Sequence, residues 1–289
     1  MGNGPANAAR QNTISIFNSI THYWEYGNRT SNVTIILIHG FRGEHHGLEL
    51  IAKRLGDYRI VVPDLPGFGL SEPLINLEHN TFFYHKWLNE FILSLNCKGK
   101  VALLGHSFGT ILVSAAVAAG LPVDYLILVN PLAEPLLKQR DLGSQLVLIY
   151  YWLANHLPAP FDLSLLQSRL ITQFMSTLMT KTSNKNLKQW IHHQHLTYFS
   201  QVKSKRTLIE IFNVIKNESV TQYAKKINQP TLLIAAEQDN VCSINKQETL
   251  HSLFINARLL AIPQYGHLLH YEAPYTVAKA TKKFLREMN

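Results

Sequence analysis

The chain has 289 residues, 46% of them hydrophobic, which suits one large-cored domain carrying an insertion better than two independent domains. Its net charge of +8 comes without a nucleic-acid-binding motif, so no nucleic-acid partner is inferred. The two cysteines, Cys97 and Cys242, are too few and too far apart for a Cys-x-x-Cys metal or redox site and read as buried reduced thiols.

Met1 to Asn12 is rich in Asn, Ala and Gly and lacks the apolar core of a secretory signal. It reads as a frayed terminus, which points to the cytoplasm. A hairpin is expected over Ile14 to Tyr26, followed by a strand, Val33 to Ile38, that ends in His39-Gly40-Phe41-Arg42-Gly43. Next come a helix near Leu48 to Leu55 and a strand Arg59 to Val62, which runs into Pro63-Asp64-Leu65-Pro66-Gly67-Phe68-Gly69. A helix near Phe82 to Leu95, a strand Val101 to Leu104, a helix to Ala119 and a strand Tyr125 to Val129 complete the first half. Near-continuous apolar strands alternating with helices imply an α/β fold whose mostly parallel central sheet has helices on both faces.

From about Leu132 to Gln229 helical periodicity replaces the strands. The domain reading is therefore a core of residues 1–131 and 230–289 with a helical cap, 132–229, inserted over the strand ends. Within the cap, Leu146 to Leu153 is too short for a membrane span, which needs about 20 residues. It reads instead as pocket lining and as packing against the core, with Tyr151 and Trp152 as candidate substrate contacts. Two further strands, Thr231 to Ala236 and Leu259 to Ile262, close the sheet.

The chemistry is concentrated at strand ends. Gly105-His106-Ser107-Phe108-Gly109 puts a serine where a buried strand turns sharply into a helix, the pattern of a nucleophile elbow. Glycines two residues to either side are expected because the turn brings backbone segments almost into contact. A free hydroxyl is a weak nucleophile until a base takes its proton and an acid orients that base, in the chain order Ser, Asp/Glu, His. Asp239, just past the strand ending at Ala236, is the candidate acid, with Glu237 as its rival. His267, past the strand ending at Ile262, is the candidate base. The backbone amides of Phe41 and Phe108 are the expected oxyanion donors, and His39 and Gly40 are further candidate substrate contacts. His106 reads as a packed neighbour of the serine rather than as the base.

These motifs, with Tyr265-Gly266-His267 and Glu272-Ala273-Pro274, resemble the α/β-hydrolase fold superfamily, in its serine esterase-like branch with a helical cap. The resemblance implies a triad of Ser107, Asp239 and His267, with Asp64 as a turn-fixing residue. A serine nucleophile disfavours the dehalogenase and epoxide hydrolase chemistries, which use aspartate, and the dienelactone type, which uses cysteine. The expectation is a carboxylesterase or lipase-like enzyme acting on a small to medium ester, with no cofactor. Carbon–carbon bond hydrolysis or lyase chemistry with the same triad, and a small-molecule receptor with a slow triad, are the alternatives.

Much of the charge is local. Between Lys181 and Lys226 nine basic residues face two acidic ones, a net of +7. That suits an anionic substrate or a weak contact with an acidic membrane surface, although a solvated helical face is the plainer reading. Fourteen histidines include His45-His46, His192-His193-x-His195 and His267-x-x-His270, none with a carboxylate or cysteine at the spacing of a zinc helix, so no metal is expected. A monomer or a homodimer fits equally.

Overall fold

The computed structural model describes residues 9–199 and 201–288. Strands β1 (Arg10–Ile16) and β2 (Ser19–Gly27) form the expected hairpin. Its two turn residues, Phe17 and Asn18, have φ of 54° and 59°, the left-handed pair that matches strand twist in a two-residue loop. The hairpin begins earlier than the sequence suggested. Arg10, Gln11 and Asn12, read above as part of a frayed end, pair with Glu25, Trp24 and Tyr23. The rest of that stretch, residues 1–8, lies outside the described residues.

Six more strands follow: β3 (Val33–Ile38), β4 (Arg59–Pro63), β5 (Lys100–His106), β6 (Tyr125–Val129), β7 (Thr231–Ala236) and β8 (Ala257–Ile262). They join one sheet in the order β1-β2-β4-β3-β5-β6-β7-β8. β1 pairs with β2, and β2 with β4, antiparallel, while the pairings from β4 through β8 are parallel. Strands β3, β6 and β7 are buried along their whole length, which is why they read as unbroken apolar runs. β8, on the edge, alternates between half-buried and exposed positions until Ile262.

The helices of the first half are α1 (His45–Arg54), α2 (Thr81–Ser94) and α3 (Phe108–Ala118). Between β6 and β7 come α4 (Leu142–His156), α5 (Phe161–Leu166), α6 (Arg169–Met179), α7 (Lys185–Gln194) and α8 (Lys205–Asn217), and after β7 come α9 (Ile244–His251), α10 (Leu269–Glu272) and α11 (Pro274–Met288). α2 shows how sequence makes such an element: the Asn80 side chain caps it by accepting from Phe83 N at 3.1 Å, and Tyr84, Trp87, Leu88 and Phe91 recur at helical spacing on its buried face. Successive strand residues then divide the core in two. Ile36, Ile38 and Leu103 pack with α2 and α3, whereas Ile35, Leu37 and Leu104 pack with α1 and α11.

Residues 132–229 contain helices and no strand among the described residues. These residues are held against the loops that follow β3 and β7 and against α10, after β8. Arg42, after β3, donates from Nε to Phe199 O at 3.1 Å and from Nη2 to Leu166 O at 2.6 Å. Glu272 Oε1 accepts from Lys181 N and Thr182 N, both at 2.7 Å, and Asn240 Nδ2 donates to Leu178 O at 3.4 Å. Among the described residues, no helix is long and apolar enough to cross a membrane.

Candidate active site

Ser107 sits between β5 and α3 with φ 51° and ψ −120°, a conformation that costs a non-glycine residue about 1–3 kcal/mol and persists only where the surroundings enforce it. The enforcement is steric. A Cβ on Gly105 would lie 2.7 Å from Gly109 O, and one on Gly109 would lie 2.4 Å from Ile38 O. Ser107 N donates to Val129 O at 3.0 Å, which ties the turn to β6.

The two remote partners reach the serine. His267 Nε2 lies 2.8 Å from Ser107 Oγ, and His267 Nδ1 lies 2.8 Å from Asp239 Oδ2. His267 and Asp239 are buried, and Ser107 keeps partial exposure, so the hydroxyl is the member of the group that an incoming molecule meets. The second oxygen of Asp239 accepts from Val241 N at 2.7 Å and from Cys242 N at 3.3 Å, which fixes the carboxylate in plane. Glu237, the rival acid, is exposed. Cys242 is buried and its thiol is pushed up to about 11, with burial the largest cause, so it stays protonated beneath the loop.

The loop after β3 lies against the elbow. A Cβ on Gly40 would come within 3.2 Å of Ser107 Cβ, and the rings of Phe41 and Phe108 are 6.3 Å apart. Phe108 is the first residue of α3, where backbone N–H groups lack an intrahelical acceptor. His39 is fully engaged in holding this loop: its Nε2 accepts from Leu65 N at 2.9 Å, so its Nδ1 carries the hydrogen donated to Gly40 O at 2.8 Å. Burial lowers its pKa and keeps it neutral.

Phe41 also gathers an aromatic wall. Its ring lies 5.7 Å from Tyr151, 6.4 Å from Phe68 and 6.3 Å from Phe212, and Tyr151 stacks on Phe212 at 3.9 Å. Trp152 does not join it. The next residue on a helix is rotated by about 100°, and Trp152 is 59% exposed with its ring beside His156. Phe212 was not singled out in the sequence, and Phe68 appeared there only within the motif after β4, because a lone aromatic carries no signal of which cluster it will enter.

Asn130 is the other residue that sequence reasoning passed over. Placed directly after β6 with φ 45°, it accepts from Ala236 N at 2.9 Å and donates from Nδ2 to His267 O at 2.9 Å and Gly266 O at 3.1 Å. It thereby joins the ends of β6 and β7 to the histidine loop. Asparagine tolerates left-handed backbone better than most residues, and its position at a strand end was the available signal. Asn130→Ala leaves Ala236 N and Gly266 O without this partner, while His267 O keeps His106 Nε2 at 3.3 Å, and is expected to cost about 2 kcal/mol in urea unfolding; a variant as stable as wild type would remove this role.

Asp64 is wholly buried and accepts from His45 N, His45 Nδ1 and Leu70 N, each at 2.8 Å. It fixes the turn after β4, and Gly69 is required there because a Cβ would meet Asp64 Oδ2 at 2.1 Å. Glu44, His45 and His46 bring potential ligand atoms within 4.8 Å of one another. The three residues are consecutive in the chain, with Glu44 as the N-cap of α1 and the two histidines opening the helix, so the grouping does not use the i, i+4 spacing of a zinc helix. The Nδ1 atoms are already engaged, His45 by Asp64 and His46 by Glu44.

Comparison with known proteins agrees with this fold. A family model described as alpha/beta hydrolase fold matches residues 33–274. An uncharacterized hydrolase, YugF, of Bacillus subtilis (strain 168) is 24% identical over 283 residues, covering 91% of this chain and 94% of that protein. Lipase 1 of Psychrobacter immobilis is 23% identical over 276 residues, covering 91% and 79%. Among solved structures, a thermophilic esterase from Thermogutta terrifontis superposes with a TM-score of 0.75 at 19% identity, over 97% of this chain and 99% of that one. With a family model spanning residues 33–274 and a sheet of this topology, the chain belongs to the α/β-hydrolase fold family.

Proposed function

We propose that the protein is a serine hydrolase that cleaves a small to medium carboxylic ester through an acyl-enzyme on Ser107. The observation that carries this reading is the continuous pair of 2.8 Å hydrogen bonds from Ser107 Oγ through His267 to Asp239. In the first half-reaction Ser107 Oγ attacks the ester carbonyl as His267 Nε2 takes its proton, while Asp239 orients the ring and stabilises its cation. The amides of Phe41 and Phe108 bind the oxyanion, worth about a hundred- to a thousandfold in rate for each donor. Collapse expels the alcohol, which receives the proton from His267, and water repeats the sequence to release the acid. No cofactor enters these steps.

The helical insertion serves as a cap over the strand ends, and the wall of Phe41, Tyr151 and Phe212 lines the acyl side of the site. Similarity to a lipase supports an ester substrate. Both cysteines are free, which suits the cytoplasm expected from the sequence.

A fluorophosphonate probe tests the reading directly. Wild type is expected to be labelled at Ser107, located by peptide mass mapping, and labelling should vanish in folded His267→Ala. Absence of labelling on well-folded wild type would favour a receptor that keeps the fold without the chemistry.

A further inference from the structure

Helix α6 is inside out along part of its circumference. Two of its polar positions are its buried ones: Thr172 is 8% and Ser176 0% exposed, and Ser176 Oγ lies 2.7 Å from His192 Nδ1 and 2.6 Å from His195 Nδ1. Three of its apolar positions face outward, while Ile171, Met175 and Met179 are half-buried. Leu170, Phe174 and Leu178, spaced four residues apart and so on one helix face, are 85%, 60% and 48% exposed. A helix folded for water does the reverse.

Helix α4 shares the tendency. None of its fifteen residues is Asp, Glu, Lys or Arg, and Leu142, Leu146, Ile149 and Leu153 form a second exposed apolar stripe opposite buried Ser144, Tyr151 and Ala154. Ten of the nineteen exposed large hydrophobic side chains among the described residues fall between Leu137 and Leu178. That concentration distinguishes the region from the isolated exposed leucines of ordinary surfaces.

Charge decides what covers these faces. Of the three acidic residues between 132 and 190, Glu134 pairs with Lys246, Asp162 pairs with Lys205, and Asp141 caps α4 through Ser144 N. Lys138, Arg140, Arg169 and Lys185 are exposed and form no ion pair among the described residues. A second copy of this chain would set the same positive charge against itself, whereas an anionic lipid surface neutralises it and accepts the apolar side chains.

We propose that the exposed apolar faces of α4 and α6, flanked by these basic residues, dock the protein on an anionic lipid surface. The helices lie in the interface and do not span it, and docking is independent of the chemistry at Ser107.

Cosedimentation of the full chain tests this, using vesicles of equal phosphatidylglycerol and phosphatidylcholine beside vesicles of phosphatidylcholine alone. Wild type should bind the mixed vesicles, less tightly as salt is raised, and bind phosphatidylcholine weakly. The variant Leu170→Ser/Phe174→Ser/Leu178→Ser should partition about a hundredfold more weakly, with unchanged circular dichroism and unchanged fluorophosphonate labelling. Phe174→Asp alone repeats the comparison should the triple variant lose its fold. Folded wild type that stays in the supernatant, binds both vesicle types equally, or binds no better than the variants overturns the proposal. So does a wild-type dimer that the substitutions break while neither form binds vesicles, which would assign the face to a second copy.

Discussion

Ser107→Ala lowers kcat for a p-nitrophenyl ester by about a millionfold, and His267→Ala does nearly the same, because nucleophile and base act as one unit. The double variant is no worse than either single one for the same reason. Asp239→Asn, which keeps the shape but permits the wrong imidazole tautomer, costs about ten-thousandfold. These losses should arrive with little change in folding. The bond that Ser107 Oγ makes is to His267 Nε2, the backbone strain at φ 51° is the same for alanine, and the neighbouring glycines hold the turn whatever the side chain. Steady-state kinetics beside thermal unfolding reads both quantities. Retention of more than about a tenth of wild-type turnover in Ser107→Ala would place the chemistry elsewhere.

The positions of Ser107, Asp239 and His267 were legible because each comes soon after a strand of apolar residues, and a parallel sheet gathers its strand ends at one edge whatever the spacing along the chain. The mostly parallel sheet was legible for a related reason. Strands such as β3 and β7 are buried on both faces and so leave long apolar runs. What sequence could not convey was which remote groups meet. Asn130 earns its place by reaching the loop of His267, and Arg42 by bridging to Leu166 and Phe199, contacts more than a hundred residues away in the chain. The run Leu146 to Leu153 gave a helix but not its rotation, so Tyr151 and Trp152 could not be told apart until α4 was docked, with one ring inward and the other exposed. The polar inward face of α6 was hidden for the complementary reason: its serine is satisfied by histidines of α7 and the turn beyond it.

Stability should fall steeply as pH drops below about 6.5, well before carboxylates titrate. Burial holds the His106 and His195 imidazoles down to about 3, with the neighbouring His267 and His192 adding to it, and burial sets His270 well below its ordinary value. His39 and His79 shift the same way. For each of these groups the folded state binds the proton more weakly than the unfolded chain does. Their contribution is therefore fully present above 6.5 and is lost as pH falls toward the folded value, at about 1.4 kcal/mol per pH unit for each ring. His106 and His195 alone then cost about 3 kcal/mol per unit between 6.5 and 3, against a total stability of about 5–15 kcal/mol for a typical domain. His46 acts in the opposite sense: Glu44 overcomes partial burial and raises it, so its contribution is lost as pH rises. One raised ring cannot offset these five, and His85 and His192 are lowered as well, chiefly by burial. Urea midpoints measured from pH 7.5 to 4.5 should descend from the upper half of that range, and His195→Asn, which replaces the ring by a group that does not titrate, should flatten the slope by about a third to a half of the two-ring value. Midpoints that stay level to pH 5 would mean that these rings gain protons without unfolding.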